Sequence, residues 1–220
     1  MPNEAKKTST RGQNRKYGRN NWLIVVPVIL FVILAVCVRA RLTVGLEGWA
    51  YSKTAEHMSP AMTSVVKGIT HIGDTAVVIL ICLTLIVIPK TRGTIALPVS
   101  GAVILSFVLN IALKHVLARE RPDILRLINE TSYSFPSGHA MINSSLYIIL
   151  LLFIFKYIKN RWTKWILASV CAILIIAIGF SRVYLGVHYA GDILGGWMFG
   201  FAVSIFVYNV WKRRAFKSGR

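Results

Sequence analysis

The stretch TIALPVSGAVILSFVLNIALKHVL, residues 94–117, carries no charge over its first twenty positions and meets Lys114 only near its end. About 20 apolar residues form a helix long enough to cross the ~30 Å hydrocarbon core of a bilayer. Lipid offers no water to unpaired backbone N–H and C=O groups, so such a run is a helix. Five further runs of the same character lie at 22–38, 72–88, 140–158, 165–180 and 193–211. The run at 72–88 is the weakest, with Asp74 at its start and Pro89 closing it. Together they predict an all-α integral membrane bundle of six transmembrane helices over residues 22–211, with basic tails at 1–21 and 212–220.

Composition agrees. Of 220 residues, 55% are hydrophobic and 15% charged, with a mean hydropathy of +0.60. That apolar content excludes a disordered chain and argues against a soluble enzyme. Cys37, Cys82 and Cys171 lie far apart inside apolar runs, which argues for small buried hydrophobes rather than a disulfide framework or metal cluster. Basic residues precede the first run, as in a signal peptide. However, Val38 leads straight into Arg39-Ala40-Arg41 with no small-residue cleavage site. Leu34-Ala35-Val36-Cys37 resembles a lipoprotein box, but Val36 stands where a small residue belongs. The first run is therefore expected to be a retained span.

The net charge of +18 is distributed, not clustered. With a cytoplasmic N-terminus, 17 of the 26 basic residues fall inside. They are Lys6, Lys7, Arg11, Arg15, Lys16 and Arg19, then Lys90 and Arg92, then Lys156, Lys159, Arg161 and Lys164, and finally Lys212, Arg213, Arg214, Lys217 and Arg220. Of the eight acids only Glu4 does. The positive-inside rule then predicts both termini in the cytoplasm of a multi-pass cell-membrane protein. Orientation and contact with anionic lipid account for the charge, so no nucleic-acid partner is expected.

This topology brings the unusual polar residues to one, extracytoplasmic, face. Lys114 stands at the end of the third run with Arg121 and Pro122 just after it, Pro136-Ser137-Gly138-His139 opens the fourth, and Ser181, Arg182, His188 and Asp192 join the fifth to the sixth. Lys114, Arg121 and Arg182 are cations near the interface, where charge is costly and commonly functional. Converging cations suit a polyanion, and the arginine fork matches phosphate oxygens. Ser137 and Gly138 stand at a helix start, whose free N–H groups and dipole attract anions. Singly, Ser137 reads as a helix cap and the cations as snorkelling side chains; together they read as a phosphate site. His188 and Asp192 are four residues apart, so the carboxylate can fix one ring nitrogen and leave the other free to attack. His139 is then a candidate general acid. Zinc held by His139, His188 and Asp192 is the weaker reading, because hard-cation phosphatase sites gather more carboxylate.

The segments Lys114-x6-Arg121-Pro122, Pro136-Ser137-Gly138-His139 and Ser181-Arg182-x5-His188-x3-Asp192 resemble, in order and complete, the three-part signature of the type 2 phosphatidic acid phosphatase family. The resemblance implies a membrane lipid phosphatase that uses no metal or cofactor and forms a phosphohistidine. It implies His188 as nucleophile, Asp192 as its partner, His139 as acid, and Lys114, Arg121, Ser137, Gly138 and Arg182 as holders of the phosphate. Soluble vanadium haloperoxidases share the signature, but six spans fit them poorly. The implied substrates are phosphatidylglycerophosphate, undecaprenyl pyrophosphate or phosphatidic acid, and the sequence does not choose among them. The reading from another class is a non-catalytic lipid or anion transporter. It accounts for the spans and an anion site but not for the His188–Asp192 pair beside His139.

Arg119, Glu120, Asp123 and Arg126 fall outside the signature and receive no role, and His57, His71 and His115 read as structural or interfacial. The 39–71 segment reads as a connector or as an interfacial element that admits a lipid tail. Gly191-xxx-Gly195 and Gly196-xxx-Gly200 permit close helix packing, expected within the chain, and fix no oligomeric state.

Overall fold

The structure is a computed structural model that describes residues 21–123 and 125–217. The basic tail expected at 1–21 therefore lies outside the described residues except for Asn21, as do the last three positions. Among the described residues there are helices and no strands. They are α1 Trp22–Arg39, α2 Val44–Ala55, α3 Pro60–Ile72, α4 Thr75–Val87, α5 Leu97–Leu117, α6 Gly138–Tyr157, α7 Arg161–Tyr184 and α8 Ala190–Lys217. A helical turn, Pro89–Thr91, and a π-helical segment, Arg92–Ala96, lead into α5.

The helix starts follow from local chemistry. Ser59 accepts from the Met62 N–H at 3.2 Å with Pro60 at the first helical position of α3, and Asn160 accepts from the Thr163 N–H at 3.0 Å at the start of α7. Five described helices are long and apolar enough to cross a membrane. The pair α3 and α4, bent by 42° at its break, passes the same test together, giving up to six. The expected span at 72–88 is thus the second half of a broken pair: α4 alone has 13 residues. The 39–71 segment folds as α2 and α3, and α2 turns Glu47 inward, where it is buried. Helix α7 runs to Tyr184, which carries Ser181 and Arg182 in its last turns, and α8 continues through residues 212–217, expected as tail. All three cysteines are free.

Lipid tails are as apolar as leucine, so packing and hydrogen bonds rather than water expulsion hold membrane helices together. Here α6 is the centre, flanked by α5, α7 and α8. Val78, Val99, Leu146, Ile149, Phe153 and Ile178 are buried along it. Small residues bring backbones close: a Cβ on Gly196 would sit 2.8 Å from Ala140 Cβ and 2.9 Å from the Ser137 carbonyl, and one on Gly200 would fall on Ser144 Oγ and the Met141 carbonyl. The Ser204 hydroxyl donates to the Ser145 carbonyl at 2.9 Å, and Ser145 to the Ala102 carbonyl at 3.3 Å, linking α8, α6 and α5. The glycine spacing of α8 is used within the chain, as expected.

Gly200→Ala is expected to lower the thermal midpoint in detergent by several degrees, because overpacking against fixed backbone costs on the order of 1–3 kcal/mol. Gly101, with open space around its Cβ position, supplies the control. Gly101→Ala is expected to hold or raise the midpoint, since alanine is favoured in a helix by about 1 kcal/mol. Intrinsic-fluorescence melting of the purified variants reads both.

Candidate active site

The end of α5, the α5–α6 connection, the start of α6 and the α7–α8 turn surround one cavity of about 1000 Å³. Lys114, Arg121, Gly138, His139, Arg182 and His188 line it. Three segments, two joined by the α5–α6 connection and the third set apart by the long helices α6 and α7, thus converge as the topology required.

His188 lies in the turn before α8 and is 3% exposed; Asp192, in the first turn of α8, is fully buried. The pairing does not need His188 to be helical. Asp192 Oδ2 accepts the Tyr189 N–H at 2.9 Å, which folds the turn back and brings the same oxygen to 3.3 Å from His188 Nδ1. Ser134 Oγ donates to that oxygen at 2.5 Å, and Arg119 Nη1 donates to Oδ1 at 2.6 Å. An ionised Asp192 makes Nδ1 the protonated nitrogen of His188 and leaves a lone pair on Nε2. Nε2 lies 3.3 Å from Arg121 Nη1, among the cations. Burial pushes His188 down to about 3, against the pull of Asp192, so the ring is neutral.

The cations are held by the connection. Arg121 Nε donates to the Ser132 carbonyl at 2.6 Å, Nη2 to Ser132 Oγ at 3.1 Å and Nη1 to the Val187 carbonyl at 2.8 Å. Lys114 Nζ donates to Ser132 Oγ at 3.0 Å and to the Tyr133 carbonyl. Arg182, 2% exposed, donates through Nη1 to Thr70 Oγ1 at 3.0 Å and through Nη2 to Glu130. Its buried Nε has no partner among the described residues. The Glu130 carboxylate also approaches Arg121 Nη2 at 3.6 Å. Burial alone would raise the Glu130 pKa, but Arg182 and Arg121 hold it below the ordinary carboxylate value.

Two expected phosphate holders differ in how they are used. Ser137 is buried and does not line the cavity; its N–H donates to the Asp192 carbonyl at 3.1 Å, and its hydroxyl caps α6 by accepting from the Ala140 N–H at 3.4 Å. It locks the start of α6 to the start of α8. The N–H groups of Gly138 and His139, in the first turn of α6, have no carbonyl of their own helix to bond. Asn110 on α5 fixes that start by donating to the Pro136 carbonyl at 3.1 Å.

Several residues here had no part in the signature. Arg119 bridges Asp192 to Glu47 Oε2 at 2.6 Å and stacks 3.9 Å over the Tyr189 ring. Burial would lower its pKa, but the two carboxylates raise it above the ordinary arginine value. Ser132, Ser134, Thr70 and Glu130 hold signature residues, and Asp74 contacts His139. One signal was available: the chain has only eight acids, and four of them, Glu47, Asp74, Glu130 and Asp192, pair here. His57, just past α2, bonds the Lys53 carbonyl in its last turn at 2.9 Å, and His115 bonds the Ile111 carbonyl of its own helix at 2.8 Å. Among the described residues, no three His, Cys, Asp or Glu side chains converge as a metal site.

Residues 95–216 match the family model described as PAP2 superfamily, more than half of the chain. A phosphatidylglycerophosphatase B of Bacillus subtilis is 35% identical over 182 residues, 78% of this chain and 86% of that protein. An undecaprenyl-diphosphatase of Sulfolobus acidocaldarius is 28% identical over 196 residues, 83% of this chain and 87% of that one. The crystal structure of a transmembrane PAP2-type phosphatidylglycerolphosphate phosphatase from Bacillus subtilis superposes with a TM-score of 0.78 at 27% identity, over 87% of this chain and 97% of that chain. With all three signature segments inside the matched region and gathered around one cavity, the chain belongs to the PAP2 superfamily.

Proposed function

We propose that this protein removes the terminal phosphate of a membrane lipid phosphate or diphosphate through a phosphohistidine on His188, without a metal, at the extracytoplasmic face. One arrangement carries the reading: a buried, neutral His188 with Nδ1 on Asp192 and Nε2 among Lys114, Arg121 and Arg182 in one cavity. The unpartnered Nε of Arg182 is a donor awaiting an acceptor, and a phosphate oxygen supplies it.

His188 Nε2 attacks phosphorus, the P–O bond to the lipid breaks, and His139 gives the leaving oxygen its proton. Water then attacks the phosphohistidine, returns a proton to His139 and releases inorganic phosphate and His188. Asp192 offsets the charge on the phosphorylated ring. Lys114, Arg121, Arg182 and the N–H groups opening α6 stabilise charge on the equatorial oxygens, usually the largest catalytic contribution. Fixed cations supply what a metal would otherwise provide.

A lipid substrate fits the walls. Phe107, Ile111 and Ile142 line the same cavity, and Phe107 and Ile111 are exposed on the outside of the bundle. A head group can thus reach the cations while its tail stays in lipid. The two relatives named for phosphatidylglycerophosphate and undecaprenyl diphosphate support these substrate classes, with phosphatidic acid presenting the same terminal group. Counting α3 and α4 as one broken span gives six crossings, and the basic loops then support an orientation with both termini and the tails in the cytoplasm. At the bundle end away from the site, Lys156 lies 3.9 Å over the Trp211 ring beside Tyr208 and Phe153, as in an aromatic belt.

Phosphate release by the purified protein in EDTA, tested on phosphatidylglycerophosphate and undecaprenyl diphosphate, is expected to persist. His188→Ala and Asp192→Asn are expected to lower it by on the order of 10⁴-fold while the variants remain inserted and folded. Normal turnover in His188→Ala would remove the mechanism. Ile111→Trp is expected to raise KM for long-chain lipid phosphates several-fold and leave a short-chain, water-soluble phosphate unaffected. His188 also predicts a pH effect on stability. Its pKa falls from 6.5 to about 3 on folding, so below pH 6.5 the unfolded chain takes up a proton that the site refuses. Stability is therefore lost progressively as pH falls from 6.5 toward 3, and the thermal midpoint should drop more steeply there than in His188→Gln.

A further inference from the structure

The break between α3 and α4 is built with more care than a bend requires. Asp74 occupies the N-cap position of α4, yet its side chain makes no cap hydrogen bond. An aspartate there ordinarily accepts from the N–H two or three residues on. Its carboxylate is turned instead to two imidazoles: Oδ1 lies 3.1 Å from His139 Nε2, and Oδ2 lies 2.8 Å from His71 Nδ1. The backbone that carries it is fixed from α6. Asn143, one turn after His139, donates to the Gly73 carbonyl at 2.8 Å and to the His139 carbonyl at 3.0 Å. Only a glycine fits beside it, since a Cβ on Gly73 would lie 2.6 Å from Ile178 Cγ2 and 3.2 Å from His139 Cδ2. The break therefore holds one carboxylate against one histidine, and that histidine faces the cavity.

Resting on the phosphatase reading above, we infer that Asp74 is the positioning residue of the general acid: it fixes His139 through Nε2 and leaves Nδ1 to exchange the proton with the leaving oxygen. The site then contains two His–Asp pairs of different character. His188–Asp192 is sealed from solvent, whereas His139–Asp74 sits at the rim, with the Asp74 side chain 40% exposed and His71 72% exposed. The rim pair suits a group that must gain and lose a proton in each cycle. Nδ1–H of His139 goes to the departing oxygen as the P–O bond breaks, and the attacking water returns a proton to Nδ1. Arg182 and Glu130 also line the cavity beside His139, but Asp74 is the carboxylate bonded to its ring. His71 braces the second oxygen of Asp74 from the outer side.

The test is a double-mutant cycle on single-turnover release of the leaving group. Asp74→Asn alone is expected to slow cleavage of a lipid phosphomonoester by on the order of 10²-fold, the lower range for general acid catalysis. Asp74→Glu, which keeps the charge, is expected to recover most of it. Added to His139→Ala, Asp74→Asn is expected to cost less than about twofold more, because it acts through a ring no longer present. A lipid diphosphate, whose phosphate leaving group departs without help, is expected to lose less than about tenfold in Asp74→Asn. Equal losses from Asp74→Asn in both backgrounds would show a structural role and overturn the assignment, as would full activity of Asp74→Asn on the phosphomonoester. His188→Ala, run alongside, tests the phosphatase reading by itself: its loss of turnover stands whatever Asp74 does, and its retention removes that reading alone.

Discussion

The carboxylate of Asp192 is the constraint on which the rest of the site depends. It is fully buried, and an unpaired charge there would cost several kcal/mol. Its oxygens are accordingly engaged by four groups: Arg119, Ser134, the Tyr189 N–H and His188. Its backbone carbonyl takes the Ser137 N–H as well. The contacts come from the α5–α6 connection, the turn before α8 and the start of α6, so satisfying this one group aligns those three with the start of α8 and, through Arg119 and Glu47, with α2. The orientation of His188, the proposed nucleophile, is a by-product of a charge that cannot be left unpaired.

The scaffold around it is made stiff by close approach instead of by hydrophobic contrast. Within lipid, apolar side chains gain little from touching one another, so the bundle relies on glycine and serine contacts along α6 and α8. Those contacts lie in the helices that also carry His139 and Asp192. The cationic side chains occupy the helix ends, where they reach the connection's carbonyls and hydroxyls. This division lets a rigid apolar body support a densely charged rim without burying unpaired charge in the hydrocarbon.

The two histidines differ in the way their proposed tasks require. His188 is sealed and neutral, as the lone pair proposed to attack must be. His139 is held at the cavity wall by a carboxylate near solvent. A group that only attacks gains from exclusion of water, and a group that trades protons gains from contact with it.

Residues 94–117 and four of their five companions were legible as single spans because lipid imposes one solution on a long apolar run. The signature positions Lys114, Arg121, His139, Arg182, His188 and Asp192 were legible because phosphate chemistry needs those residue types on one face. The sequence by itself therefore determined an all-helical membrane chain, the family and the residue types gathered at the site's centre. What only the tertiary structure decided is which distant groups neutralise and orient that centre. Glu47 and Arg119 stand 72 positions apart, and Asp74 and His139 stand 65 apart. No local period or spacing links such pairs; they meet where the packed helices bring them, and the buried Glu47–Arg119 pair adds the need of charges in a medium of low dielectric to find partners. The broken span at Gly73–Asp74 was hidden for the same reason, since hydropathy reports the need to cross the membrane and not the hydrogen bonds that bend a helix on the way.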